Sequence, residues 1–253
     1  MRYWKGSIHL SPSQDHPLLR QVLRSEHITH SQLFEFMQLG GYERSRQSFA
    51  WRMHRLVRAG LVKQQRTKLF GGEPVYSLSR ETGLELQGLE EYCVVSAKPS
   101  EGDGANDVLH AVELNNIQLS LLRARIPARW IPTTEVRSIN DLSGLPYVKI
   151  YDAVLEFSLN GTSKKVALEY ERSRKAKINY ADIAKDTLAE QRVALILYLV
   201  ANYDLLKFLT HEFWGISRHV VFGLAREWHN RLLEMPVIAP NGSASRPLLE
   251  YLI

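Results

Sequence analysis

Nine consecutive residues, Val193 to Ala201 (VALILYLVA), contain no charge, no glycine and no proline. The run is far too short to cross a bilayer and fits a buried strand. A strand buried in this way needs covering layers, and the flanking sequence predicts them. Helices are expected over 178–191 and 203–213, a strand over 219–224 and a closing helix over 226–233. Upstream, VLHAVELNNIQLSLLRAR (108–125) is amphipathic, and short strands are expected at 130–136, 149–157 and 165–171. The order is αβββαβ with an αβ extension, an α/β layered domain.

The chain has 253 residues, 45% hydrophobic and 23% charged, which allows one large domain or two modest ones. This excludes a disordered tail, a collagen-like repeat and a small disulfide scaffold. Cys93 is the only cysteine, so an internal disulfide and a cysteine-based zinc cluster are excluded. A reducing cytoplasm is the expected compartment. MRYWKGSIHLSPS has no apolar leader segment, and no membrane association is expected. The nine histidines form no HExxH pair, and Gly71-Gly72 lacks the Lys-Ser/Thr of a phosphate loop.

Ahead of this domain the helical patterns are shorter. His16 to Ser25 predicts one helix, with Pro17 in its first turn. Thr29 or Ser31 can cap a second carrying Leu33, Phe34, Phe36 and Met37. A third opens near Ser45, and Phe49, Met53, Leu56 and Val57 recur on its apolar face. Its opposite face carries Gln47, Ser48, Trp51, His54, Arg55 and Arg58, and Gly60 ends it. A strand at 61–63, a turn at 70–73 and a strand at 74–78 follow, then a helix over 81–92. Three helices and a hairpin is the winged helix-turn-helix order, and RLVRAGLVKQQ…VYSLSRETG resembles bacterial winged-helix proteins. Residues 1–96 are therefore read as one domain, 97–107 as a polar linker and 108–253 as the second domain.

Charge is concentrated in the first domain. Net charge is +5, but between Tyr42 and Phe70 there are eight bases against one acid, Glu43. Such a segment is the electrostatic footprint of a phosphate-binding element. The winged-helix resemblance implies that Gln47, Ser48 and Trp51 approach bases, while Arg44, Arg46, Arg55, Arg58 and Lys68 serve the DNA backbone. The alternative is a protein-interaction module whose arginines merely solvate a helix.

The second domain places acids among apolar residues. In YDAVLEF, Asp152 shares a face with Val154 and Glu156, and in VALEYER, Glu169 shares one with Glu171. A turn at Asn160-Gly161 brings the two strands together. Clustered carboxylates repel unless a cation or a base compensates. Mg²⁺ is one solution. Pairing with Arg172, Arg174, Lys175 or Lys177, or exposure at strand ends, is the other.

This pattern resembles the PD-(D/E)XK nuclease superfamily, whose αβββαβ core has an aspartate on its second strand and E-x-K on its third. Tyr151-Asp152 and Glu169-Tyr170-Glu171 stand in those places. DAVLEF…G…VALEYERS…K…Y, with His110 and Asn115 in HAVELNN, is similar to the replication-relaxation family of plasmid and mobile-element proteins. That family joins a winged helix to such a domain. The resemblance implies Asp152, Glu169 and Glu171 as metal ligands, Glu113 as an outer one, and Lys175 or Lys177 as the water-orienting base. Glu171 stands where the nuclease lysine belongs, so a degenerate site is expected. The implied function is sequence-specific duplex-DNA binding in replication, mobilisation or transcription of a mobile element. The alternative is a Mg²⁺-dependent endonuclease or nickase. Further candidate partners are a relaxase, a replication protein or a second copy of the chain.

Overall fold

A computed structural model describes residues 8–87, 104–159, 161–174, 180–216, 219–241 and 243–253. The protein is a mixed α/β chain whose largest sheet has five strands. It divides into two compact units, Met1–Leu119 and Ser120–Ile253.

In the first unit, α1 (Asp15–Ser25), β1 (Ile28–Thr29), α2 (His30–Leu39) and α3 (Arg46–Arg58) precede the hairpin of β2 (Val62–Arg66) and β3 (Pro74–Leu78). The caps anticipated from sequence are present. Thr29 Oγ1 accepts from the Gln32 amide and Gln32 Oε1 accepts from the Thr29 amide, each at 3.2 Å, a reciprocal capping box. Ser45 caps α3, and Gly60 leaves it with a φ of +79°, a conformation that favours glycine. β1 adds to the hairpin, giving a three-stranded sheet ordered β1-β3-β2. Leu18, Leu19 and Val22 of α1 form the core with Leu33 and Phe36 of α2, and with Phe49, Met53 and Leu56 of α3.

α4 (Arg80–Gln87) covers the start of the helix expected over 81–92; residues 88–92 lie outside the described residues, as does 97–103 of the expected linker. α5 (Ala105–Arg123) follows. Most of it belongs to the first unit, although the sequence assigns residues 108 onward to the second domain. The physical cause is visible. Gln32 Nε2 donates to the Val112 carbonyl at 2.7 Å and to Asn116 Oδ1 at 2.8 Å, and Asn115 Nδ2 donates to the His27 carbonyl at 2.9 Å. Leu119 is fully buried in the same core.

In the second unit β4 (Ala128–Pro132) runs into α6 (Thr133–Leu142), where the sequence predicts one strand over 130–136. Thr133, Thr134 and Val136 are β-branched and read as strand locally, yet Val136 and Ser138 are fully buried on a helical face. Next come β5 (Ala153–Leu159), β6 (Thr162–Glu171), α7 (Tyr180–Ala189), β7 (Leu195–Val200), α8 (Tyr203–Glu212), β8 (Val220–Leu224) and α9 (Ala225–Arg231). β9 (Pro236–Val237) and β10 (Arg246–Pro247) pair near the C-terminus. The sheet order is β4-β5-β6-β7-β8, with β4 to β6 antiparallel and β6 to β8 parallel. β7, the apolar run, is buried at every position. One sheet face gathers Val154, Ala167, Ile196, Tyr198, Val200 and Phe222 beneath Val136, Ala184, Leu205 and Leu209. Gly223 lets Met235 lie directly on β8, because a Cβ there would collide with the Met235 methyl group.

Candidate nucleic-acid interface and carboxylate cluster

α3 divides its arginines between two tasks. Arg52 is buried: its guanidinium reaches Asp15 Oδ1 at 3.2 Å, Glu43 Oε2 at 3.4 Å and Gln14 Oε1 at 2.7 Å. Arg55 binds the other Asp15 oxygen at 2.5 Å and the His9 carbonyl at 3.0 Å. The Asp15 side chain is fully buried. Burial alone raises its carboxyl pKa, but bonds from Arg55, the Ser11 amide and Arg52 outweigh this and hold it below the ordinary value. Arg55, which the winged-helix resemblance assigns to phosphate, is tied to α1 and half-buried. The eight bases counted between residues 42 and 70 overstate the outward charge, since two serve this internal network.

The remaining expected DNA-facing residues are exposed: Arg44, Arg46, Gln47, Ser48, Trp51, Arg58 and Lys68. Trp51 is 67% exposed, unusual for the largest apolar side chain. Arg46 lies over the Phe34 ring at 4.8 Å, and Ser48 Oγ donates to Glu43 Oε2 at 3.3 Å. α3 itself contains no acid, and Glu43 is turned inward onto Arg52. On the hairpin, Lys63, Arg66 and Lys68 also face solvent. The outcome is an acid-free, cation-bearing face with a protruding tryptophan.

In the second unit, Asp152 immediately precedes β5, and Glu169 and Glu171 lie near the end of its partner β6. Pairing of Ala153 with Leu168 brings Asp152 and Glu169 to adjoining strand ends, and Asp152 Oδ2 accepts the Tyr170 amide at 2.7 Å. Glu169 and Glu171 are both buried, the former opposite Tyr198 and the latter opposite Val200 of β7. Lys175 and Lys177 lie outside the described residues. Among the described residues, Lys149 Nζ on the segment before β5 stands 3.0 Å from Glu169 Oε1. Arg174 lies over the Phe208 ring at 4.1 Å.

The sequence assigns Lys149 no role: it opens the strand expected over 149–157, and its partner Glu169 lies on another strand. Its Nζ also stands 5.4 Å from the Tyr151 ring and 5.6 Å from the Tyr198 ring. Burial, then the nearby Glu190 carboxylate, pushes the Tyr151 phenol far up, and its hydroxyl donates to Glu190 Oε2 at 2.9 Å. Burial, followed by Glu169 and Glu171, does the same to Tyr198. Tyr151 is thus held protonated as a donor to Glu190, whereas the Tyr198 hydroxyl accepts from Lys149 Nζ at 3.5 Å. Asp152 is engaged by a backbone amide and Glu169 by an ammonium. Among the described residues no group of three His, Cys, Asp or Glu side chains is placed to hold a metal. Lys149 and Glu169 thus form an ion pair in an apolar sheet face.

No family model, no curated protein and no solved structure matches this chain. The resemblance to the replication-relaxation family thus rests on the residues quoted for it. Among the described residues no helix is long and apolar enough to cross a membrane.

Proposed function

We propose that this protein binds duplex DNA sequence-specifically, with α1–α3 and the β2–β3 hairpin acting as a winged helix-turn-helix. The observation that carries the reading is the exposed face of α3. It presents Gln47, Trp51 and Arg58 without a carboxylate, while Arg52 and Arg55 fix the helix from behind. Side chains able to read base edges and cations able to take phosphates are what a recognition helix requires. The second unit is proposed as a nuclease-like domain that has lost its chemistry. Two features support this: Glu171 at the position of the nuclease lysine, and Lys149 neutralising Glu169. A replication or mobilisation accessory of a mobile element, working beside a relaxase, replication protein or second copy, is the setting that fits such a pairing.

The test divides one set of incubations between a mobility-shift gel and a cleavage gel, using mixed-sequence duplex and supercoiled plasmid with Mg²⁺, Mn²⁺ or EDTA. A salt-sensitive shift without cleavage is expected. Arg44→Ala with Arg58→Ala should weaken binding and reduce the salt slope by about two, roughly one for each phosphate left unneutralised. Trp51→Ala should cost affinity with little change in that slope. Metal-dependent nicking that disappears in Asp152→Ala would instead make the protein an endonuclease. Absence of any shift at low salt would end the DNA-binding reading.

A further inference from the structure

Leu69 sits at the turn of the β2–β3 hairpin, in a short 3-10 segment of Lys68–Phe70, and is 51% exposed. An exposed leucine alone is unremarkable. Its setting is not. The turn is held by three backbone bonds: Gly71 N to the Lys68 carbonyl at 3.3 Å, Gly72 N to the Thr67 carbonyl at 3.1 Å and Glu73 N to the Phe70 carbonyl at 3.0 Å. Gly71 and Gly72 adopt φ values of +62° and +81°, where a side chain would strain the backbone. The tip is therefore a defined projection with a leucine on it.

Charge around that projection has one sign. Lys68 adjoins Leu69, Lys63 and Arg66 face solvent along β2, and Arg66 Nη1 donates to the Gly72 carbonyl at 3.3 Å. The sole acid of the hairpin, Glu73, is withdrawn: its Oε1 accepts from the Ser31 amide at 2.5 Å. A stiff apolar point among cations, with its only carboxylate turned away, suits a polyanion that also offers a greasy slot. The stacked bases of a duplex, reached through the minor groove between two phosphate rows, are such a partner.

Resting on the duplex-binding reading above, we propose that Leu69 is a wedge that enters the minor groove, partly unstacks one base step and bends the DNA. Proteins that insert apolar side chains in this way kink the duplex by tens of degrees, and the unstacking is offset by the larger surface that a bent duplex wraps. Lys63, Arg66 and Lys68 then clamp the flanking phosphates. Binding strength resides mainly in these cations and bending in the leucine, so the two are separable.

Ligase-driven circularisation of a duplex of about 120 base pairs tests this, because such a fragment is shorter than the persistence length of DNA and closes poorly unless bent. The full chain, its Leu69→Ala variant and its Lys68→Ala variant are compared at concentrations that saturate the fragment in a mobility-shift gel. The unaltered protein should raise the circularisation rate on the order of tenfold, and Leu69→Ala should lose most of that gain while keeping its affinity within about threefold and its salt slope. Lys68→Ala should lower the salt slope by about one and keep the gain at saturation. Equal circularisation by Leu69→Ala and the unaltered protein overturns the wedge and leaves duplex binding standing, as does tight binding without any gain. Failure of the unaltered protein to bind overturns both.

Discussion

Asp15 is fully buried, yet two guanidiniums and a backbone amide surround its carboxylate and link α1 to α3. Asp15→Ala leaves Arg52 buried with Glu43 as its remaining carboxylate, and is expected to lower stability by about 3 kcal/mol in urea unfolding. The pH dependence has a definite sign. The folded-state pKa lies below 3.8, so the folded chain takes up this proton less readily than the unfolded one. The contribution is complete above that value and is lost as pH falls through the folded pKa. Asp15→Asn should flatten this acid limb when the urea midpoint is followed from about pH 5 to about pH 2. Lys149 and Glu169 make a second pair with a buried member. In a double-mutant cycle, Lys149→Met and Glu169→Gln should each destabilise the protein alone, and the coupling between them should be about 1–3 kcal/mol. A coupling near zero would mean the pair is incidental.

At the level of elements, the cap of α2 separates two interactions. Thr29→Ala removes one cap bond and should cost about 1 kcal/mol in thermal or urea unfolding. Gln32→Ala should cost more, because Gln32 also donates to Val112 and Asn116 of α5. Equal losses would show that the bonds to α5 add nothing. Most elements were legible from sequence because local signals agreed: Thr29 and Ser45 as caps, Gly60 as a stop, and an unbroken apolar run for β7. α6 was not legible, since Thr133, Thr134 and Val136 favour strands locally, whereas in the fold Val136 is buried in the sheet cluster from a helical face. The strand-end carboxylates stood out for their apolar neighbours. Arg55 and Lys149 did not, because their partners, Asp15 and Glu169, lie 40 and 20 residues away and sequence reading has no term for such pairs. Arg55 was therefore counted as a surface cation, and Lys149 was overlooked.

For the molecule as a whole, the division into Met1–Leu119 and Ser120–Ile253 has a measurable consequence. A fragment of residues 1–119 should unfold cooperatively at a higher urea midpoint than one of residues 1–96, which lacks Val112, Asn115, Asn116 and Leu119. Matching midpoints would mean that α5 contributes nothing to the first unit. The two-sidedness of α3 also reaches beyond this one chain. Positions 49, 53 and 56 answer to the packing of the first unit, whereas Gln47, Trp51 and His54 stand in solvent. Changes at the solvent positions carry little penalty for folding. On the duplex-binding reading proposed above, the scaffold can hold still while its reading head is rewritten, so descendants of one architecture can drift toward different operators, and a designer can exchange those three residues as a cassette.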